Sequence, residues 1–260
     1  MIRAGFGYRR PWYKALIQGE ARPQVLEVVP DHFFARPEAL RPLAEQFVIV
    51  LHDVGCSIAT PGLDPWRLQK LKEIVQISGA LRFTDHLALT RSPAGLALGH
   101  LAPVPMTPIA LQVCLENLMR LQEVLGIPVA VENIFQSFDS PGMPVSEFLE
   151  RLLEQSGAGL LLDLTNILLE ARNRNEDPVE RLERFPLSRA VAVHLAGGQR
   201  GRGGWVDSHS RPVEAESYEL LKYLRGRAAI TDIVVEWDEA LPPIQVIAAQ
   251  AEEARRLWEL

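Results

Sequence analysis

Ionisable residues recur at the ends of short apolar runs. The run Val25-Leu26-Glu27-Val28-Val29 leads to Asp31 and His32, and Phe47-Val48-Ile49-Val50-Leu51 leads to His52 and Asp53. Ala80-Leu81-Arg82-Phe83 leads to Asp85 and His86, and Val129-Ala130-Val131 to Glu132 and Asn133. Gly159-Leu160-Leu161-Leu162 ends in Asp163 with Asn166 close behind, Ala190-Val191-Ala192-Val193 in His194, and Ile233-Val234-Val235 in Glu236 with Asp238. One such residue is ordinary. A series of them describes a single polar cluster if the run ends converge. Carboxylates buried together are costly unless paired, protonated or bound to a cation. Glu132, Asp163 and Glu236 would repel one another, and the neighbouring run ends offer imidazoles rather than Arg or Lys. Imidazole mixed with carboxylate is a ligand set for Fe, Mn or Zn. A divalent cation would offset the repulsion and hold the histidines neutral.

Asp207-Ser208-His209 adds two more donors, just after a Gly- and Arg-rich loop from Gly197 to Gly204. Asp and His two apart in an extended segment project the same way. The candidate ligands are then His52, His86, Glu132, Asp163, His194, Asp207, His209 and Glu236. One metal takes about four to six ligands, so this set suits two or three ions with bridging carboxylates. Asp53, Asp85 and Asp238 adjoin stronger candidates and are expected to cap or steady them. His32 is balanced between ligand and bystander, and His100 is expected as a bystander in a loop. Cys56 and Cys114 read as small buried residues rather than nucleophiles. Arg200 and Arg202 suit either solvated loop charges or a grip on an anionic substrate or a partner chain.

The elements follow from the same pattern. With Ile2–Gly7 there are eight runs, rich in Val, Ile and Leu as in strands buried on both faces. Between them lie amphipathic helical patterns, such as Leu111–Leu121, Val145–Leu153 with Ser146 as a possible cap, and Ile244–Leu257 after Pro242-Pro243. Strand–helix alternation repeated about eight times in roughly 250 residues predicts a single α/β domain over residues 1–260, a (β/α)8 TIM barrel. A doubly wound sheet is the alternative, weakened by the lack of a Gly-rich turn after the first run. In a barrel the C-terminal strand ends share one mouth, where active sites sit.

Composition narrows the class. The 260 residues carry a net charge of −6, which argues against a general nucleic-acid binder. Two cysteines exclude a disulfide scaffold and a zinc site of cysteine pairs. No run approaches the roughly 20 apolar residues of a membrane span. The N-terminus lacks a signal-peptide stretch, so a cytoplasmic protein is expected.

The order of motifs resembles the multinuclear non-haem iron-dependent oxidative enzymes, the family of the methanobactin-making iron oxidase. The resemblance rests on His52-Asp53-Val54-Gly55-Cys56-Ser57, Thr84-Asp85-His86, Pro103-Val104-Pro105-Met106-Thr107, Val131-Glu132-Asn133 and Leu161-Leu162-Asp163-Leu164-Thr165-Asn166. It continues through Val193-His194-Leu195-Ala196-Gly197, Asp207-Ser208-His209 and Glu236-Trp237-Asp238-Glu239. The resemblance implies an xylose-isomerase-like barrel holding two or three iron ions, with Mn or Zn as substitutes. It implies oxidation by O2, commonly of a cysteine in a ribosomally made peptide, or of a small thiol. It also implies a small partner protein that grips the leader. All eight candidate ligands match the family's metal positions. Asn166 matches a polar position beside the metal-binding Asp, and Asn133, Asp85, Asp238 and His32 stand where they would steady ligands or meet substrate. Asp31-His32, Thr84-Asp85, Thr165 and Gly198 depart from the family's usual residues. Two other classes fit barrels of this kind: a divalent-metal sugar isomerase/epimerase or phosphodiesterase, and a non-catalytic barrel that stores metal or binds a partner.

Overall fold

A computed structural model describes residues 2–136 and 141–260. Eight parallel strands close into a barrel in sequence order: β1 (Arg3–Gly7), β2 (Val25–Val28), β3 (Ile49–Asp53), β4 (Phe83–His86), β5 (Val129–Glu132), β6 (Gly159–Asp163), β7 (Ala190–Leu195) and β8 (Asp232–Val235). Each expected run overlaps a strand. The greatest offset is at β4, which starts at the last residue of Ala80–Phe83 and so brings Thr84, Asp85 and His86 into the ladder. None of the described helices is long and apolar enough to cross a membrane.

Helices cover the barrel because their ends are well specified. Thr107 caps Pro108–Leu125, its hydroxyl accepting from the Ala110 N–H, and Gly126 ends the helix in the left-handed region at φ 65°. Asp64 caps Pro65–Ser78 in the same way. Helix Val145–Ser156 differs from expectation: Pro144 is its N-cap and Ser146 lies inside the first turn without a capping bond. The fixed φ of proline starts that helix without a side-chain cap. The Gly- and Arg-rich loop contains a hairpin, Gln199–Gly201 with Gly204–Val206, on which Arg200 and Arg202 are exposed. His100 belongs to a second hairpin, Leu89–Arg91 with Ala97–Ala102, and not to a loop.

Period-two alternation sorts the barrel interior into layers. On β8 the inward series is Asp232, Val234 and Glu236. The lowest layer holds Asp232, which is fully buried, paired with both Arg82 and Arg3. Above it Val25, Val50 and Val234 form a small apolar cluster. The top layer is ionisable and faces the C-terminal mouth. Burial opposes ionisation of Asp232, but Arg3 and Arg82 outweigh it and hold its carboxyl below the usual range. A depressed carboxyl pKa contributes stability that is present above the unfolded value, about 3.9, and is lost as pH falls through the folded value. Asp232→Asn is therefore expected to lower the melting temperature at pH 7, by the equivalent of about 3 kcal/mol. The gap to the parent should close as pH falls below 4, read by thermal scans at each pH.

Closure also needs a glycine. A Cβ on Gly5 would lie 1.7 Å from the Val25 carbonyl oxygen. Gly5→Ala is expected to destabilise the fold by about 3 kcal/mol or more, measured by denaturant unfolding.

Candidate metal centre

The top layer is built by strand register. Parallel pairing sets His86 of β4 against Glu132 of β5, and Asp163 of β6 against His194 of β7. His52 is fixed by Thr84, whose hydroxyl lies 2.8 Å from Nδ1, so Nε2 points to the centre. There it is 3.4 Å from Glu132 Oε2, which also lies 3.3 Å from His86 Nε2. His194 is fully buried, with Nδ1 3.1 Å from Glu132 and 3.0 Å from Glu236. The three rings nest edge to face, His52 lying 4.6 Å from His86 and 5.0 Å from His194 between centroids.

Asp163 is held by its own helix and a neighbour. It caps Leu164–Arg174 by accepting from the Asn166 N–H, and accepts again from the Asn166 side chain at 3.0 Å. Asn133 clasps the Asp163 backbone from both sides, donating to its carbonyl and accepting from its N–H. Asp207 and His209 reach the same place from the segment after β7, just past its hairpin, but not by extended alternation. His209 adopts the left-handed backbone, φ 44°, which turns its ring onto Asp207 at 2.8 Å and to 4.0 Å from Asp163. Asp238 accepts from His209 Nδ1 at 2.9 Å and is itself paired with Arg9.

The donors fall into overlapping groups, within each of which the ligand atoms lie within 4.8 Å of one another. One is His52, His86 and Glu132. A second is Glu132, Asp163, His194 and Glu236. A third is Asp163, Asp207 and His209. All eight candidates are thus brought together, with Glu132 and Asp163 each shared by two groups.

Glu27 forms a further such group with His52 and His194 and was not among the candidates. It is buried, with a carboxylate oxygen 2.8 Å from His194 Nε2. It stands inside an apolar run rather than at its end, which hides it. The available signal is that a carboxylate within a doubly buried strand needs a partner. Glu27→Gln is expected to leave the protein folded and loosen the seating of His194. The loss of metal affinity should be about tenfold, as for partners behind a ligand, measured by chelator competition.

The remaining residues sit outside these groups. Asp53 is fully buried and paired with Arg67, which also binds Asp31. Asp85 accepts from the His86 N–H and lies with Asp53 and Cys56, whose thiol burial pushes well up. Cys114 is buried, its pKa raised by burial to about 12. His32 is turned away from the centre into a separate hollow, because the turn Pro30–Phe33 directs it outward. His100 is exposed but lines the cavity at the mouth, which has a volume of about 920 Å³ and also exposes His52, His86, Glu132, Asp163, His209 and Glu236.

The donor set fits divalent cations. Glu132 Oε2, Asp207 Oδ1 and His209 Nε2 are buried without a hydrogen-bond partner. Asp207 and His209 are near one another yet not aligned to bond, as expected of atoms aimed at a shared third point. Without a cation, protons must balance the carboxylates. Burial opposes charging of His194, but Glu236, Glu27 and Glu132 push its pKa well above the ordinary value. Burial likewise opposes charging of His86, while Glu132 and Asp85 raise it to about 9. Against its own burial, Glu132 is lowered to about 2 by the histidines around it. Asp163 moves the other way, pushed well up by burial and by Asp207 and Glu132.

The closed parallel barrel has the fold of the xylose-isomerase-like TIM barrels. A xylose isomerase domain-containing protein from Salmonella typhimurium superposes with a TM-score of 0.65 at 15% identity, covering 99% of this chain and 97% of that one. A xylose isomerase-like TIM barrel protein from Mycobacterium smegmatis, in complex with magnesium, gives 0.62 at 15% identity over 95% and 88%. The 3-keto-D-glucoside 4-epimerase of E. coli gives 0.61 at 12% over 98% and 100%. These likenesses concern the fold. In sequence, residues 3–259 match the family described as RiPP precursor modification enzyme MbnB/TglH/ChrH, and the chain belongs to that family. A UPF0276 protein of Caulobacter vibrioides is 32% identical over 263 residues, 98% of this chain and 93% of that protein. Another, from Rhizorhabdus wittichii, is 32% identical over 260 residues, 96% and 93%.

Proposed function

We propose that this chain is an iron-dependent oxidative enzyme that modifies a cysteine-bearing, ribosomally made peptide with O2. The observation that carries the reading is the set of overlapping donor groups, three of which are joined through Glu132 and Asp163. A row of adjoining sites with shared carboxylates suits two or three ions, whereas a lone ion needs only one group. Membership in a family of peptide-precursor modification enzymes supports a peptide substrate.

His52, His86 and Glu132 would hold one ion, Glu132, Asp163, His194 and Glu236 a second, and Asp163, Asp207 and His209 a third. Iron there supplies one-electron chemistry with O2 and a place for a thiolate. The protein's own work is positional. Thr84 orients His52, Asn133 and Asn166 fix Asp163, and Asp238 orients His209, so the donors are set before any ion or substrate arrives. Buried walls limit water at the centre, and the open mouth admits an extended side chain. A small partner protein that presents the leader belongs to the same reading.

The test is reconstitution with Fe(II) under anaerobic conditions, then exposure to O2 with cysteine-containing peptides. Oxygen uptake coupled to a mass change in the peptide is expected. Full activity with zinc alone and no oxygen uptake contradicts the reading.

A further inference from the structure

Beside the mouth lies a second hollow of about 870 Å³, between the segment following β1 and the segment following β2. Its walls are apolar and aromatic, including Pro11, Tyr13 and Phe33. Three exposed cations surround it: Arg10, Lys14 and Arg36. Among the described residues, the side chains of these three make no ion pair or hydrogen bond, and no Asp or Glu lines the hollow. Asp31 and Glu38, each next in sequence to a lining residue, are already engaged, Asp31 by Arg67 and Glu38 by Arg41. In a chain of net charge −6 this is a local positive exception. The hollow adjoins the mouth cavity along the chain, since Arg9 lines the cavity and Arg10 lines the hollow.

The geometry points to a docking site for an acidic stretch of the peptide substrate, with apolar side chains seated on Tyr13 and Phe33 and carboxylates met by Arg10, Lys14 and Arg36. It rests on the peptide-substrate reading above. Unpaired cations around an apolar floor select an amphipathic acidic chain by charge complementarity, and a segment held there leaves the next residues of the peptide at the mouth.

The experiment is fluorescence anisotropy on the full-length protein. The probes are a dye-labelled peptide Glu-Glu-Leu-Glu-Glu-Phe-Glu-Glu and its counterpart with every Glu replaced by Lys. The acidic probe should bind saturably and weaken with added salt, and the basic probe should not bind. The triple variant R10E/K14E/R36E should bind the acidic probe about 30-fold or more weakly. Its metal content and melting temperature should match the parent, since all three residues are exposed. Equal binding of both probes, unchanged affinity in the triple variant, or displacement of the probe by inorganic phosphate at comparable concentration would each overturn the assignment. The assay needs no bound iron. Failure of the hollow therefore leaves metal content and oxygen uptake standing, and failure of those leaves the anisotropy result readable.

Discussion

Glu132→Gln is expected to lower metal affinity by about 100-fold or more, and oxygen uptake with it. The substitution keeps the shape of the side chain and removes its charge. That charge is permanent at working pH, since the surrounding histidines hold the Glu132 carboxyl down to about 2. Glu132 stands between two donor groups, with His52 and His86 on one side and His194 on the other. One neutralisation therefore damages two sites together. Replacing a residue at one edge, such as His86→Ala, should damage a single group. Elemental analysis after anaerobic loading separates the outcomes: E132Q should lose more than one ion per chain and H86A at most one. Equal metal content in parent and E132Q would show that Glu132 is no ligand.

The second large effect is on stability. A metal that binds only the folded chain stabilises it by about 4 kcal/mol at a concentration 1,000 times its dissociation constant. For a chain of this size that raises the melting temperature by roughly 10 °C. Chelation should reverse the gain. Its pH dependence has a definite sign. In the metal-free protein the His86 pKa is raised to about 9 by Glu132 and Asp85 against burial. Compared with about 6.5 in the unfolded chain, that gives stability fully present below about 6.5 and lost as pH rises toward 9. Metal requires the neutral imidazole, so protons compete with it and affinity climbs over the same interval. The metal-free protein should thus melt at lower temperature at pH 9 than at pH 6.5, while the stabilisation conferred by metal grows. Parallel scans with and without Fe(II) under anaerobic conditions read both slopes. Slopes of the same sign would mean that His86 neither titrates nor binds metal as described.

Much of the barrel was legible because its strands are buried on both faces and read as unbroken apolar runs. A polar residue ending such a run is conspicuous, and in this way His52, Glu132, Asp163, His194 and Glu236 declare themselves. Glu27 does not, because Val28 and Val29 carry its run onward and place the conspicuous residues at Asp31 and His32. The turn Pro30–Phe33 then sends those two away from the centre. Asp207 and His209 were legible as a pair but not in their geometry. Their convergence depends on a left-handed backbone at His209, which no spacing rule announces for a non-glycine residue. The pairing of Arg82 with Asp232 across the barrel floor was equally hidden, since it links residues 150 apart in sequence. Long-range ion pairs of this kind follow from closure of the sheet and leave no local pattern.

The central claim is that inorganic ions hold these carboxylates and imidazoles together. Crystals of protein loaded anaerobically with Fe(II) and measured on both sides of the iron absorption edge test it most directly. The account predicts two or more anomalous peaks inside the mouth, bridged by Glu132 or Asp163 and reached by His52, His86, His194 and His209. A single magnesium or manganese ion, or carboxylates bonded only to protonated imidazoles with no peak between them, would contradict it.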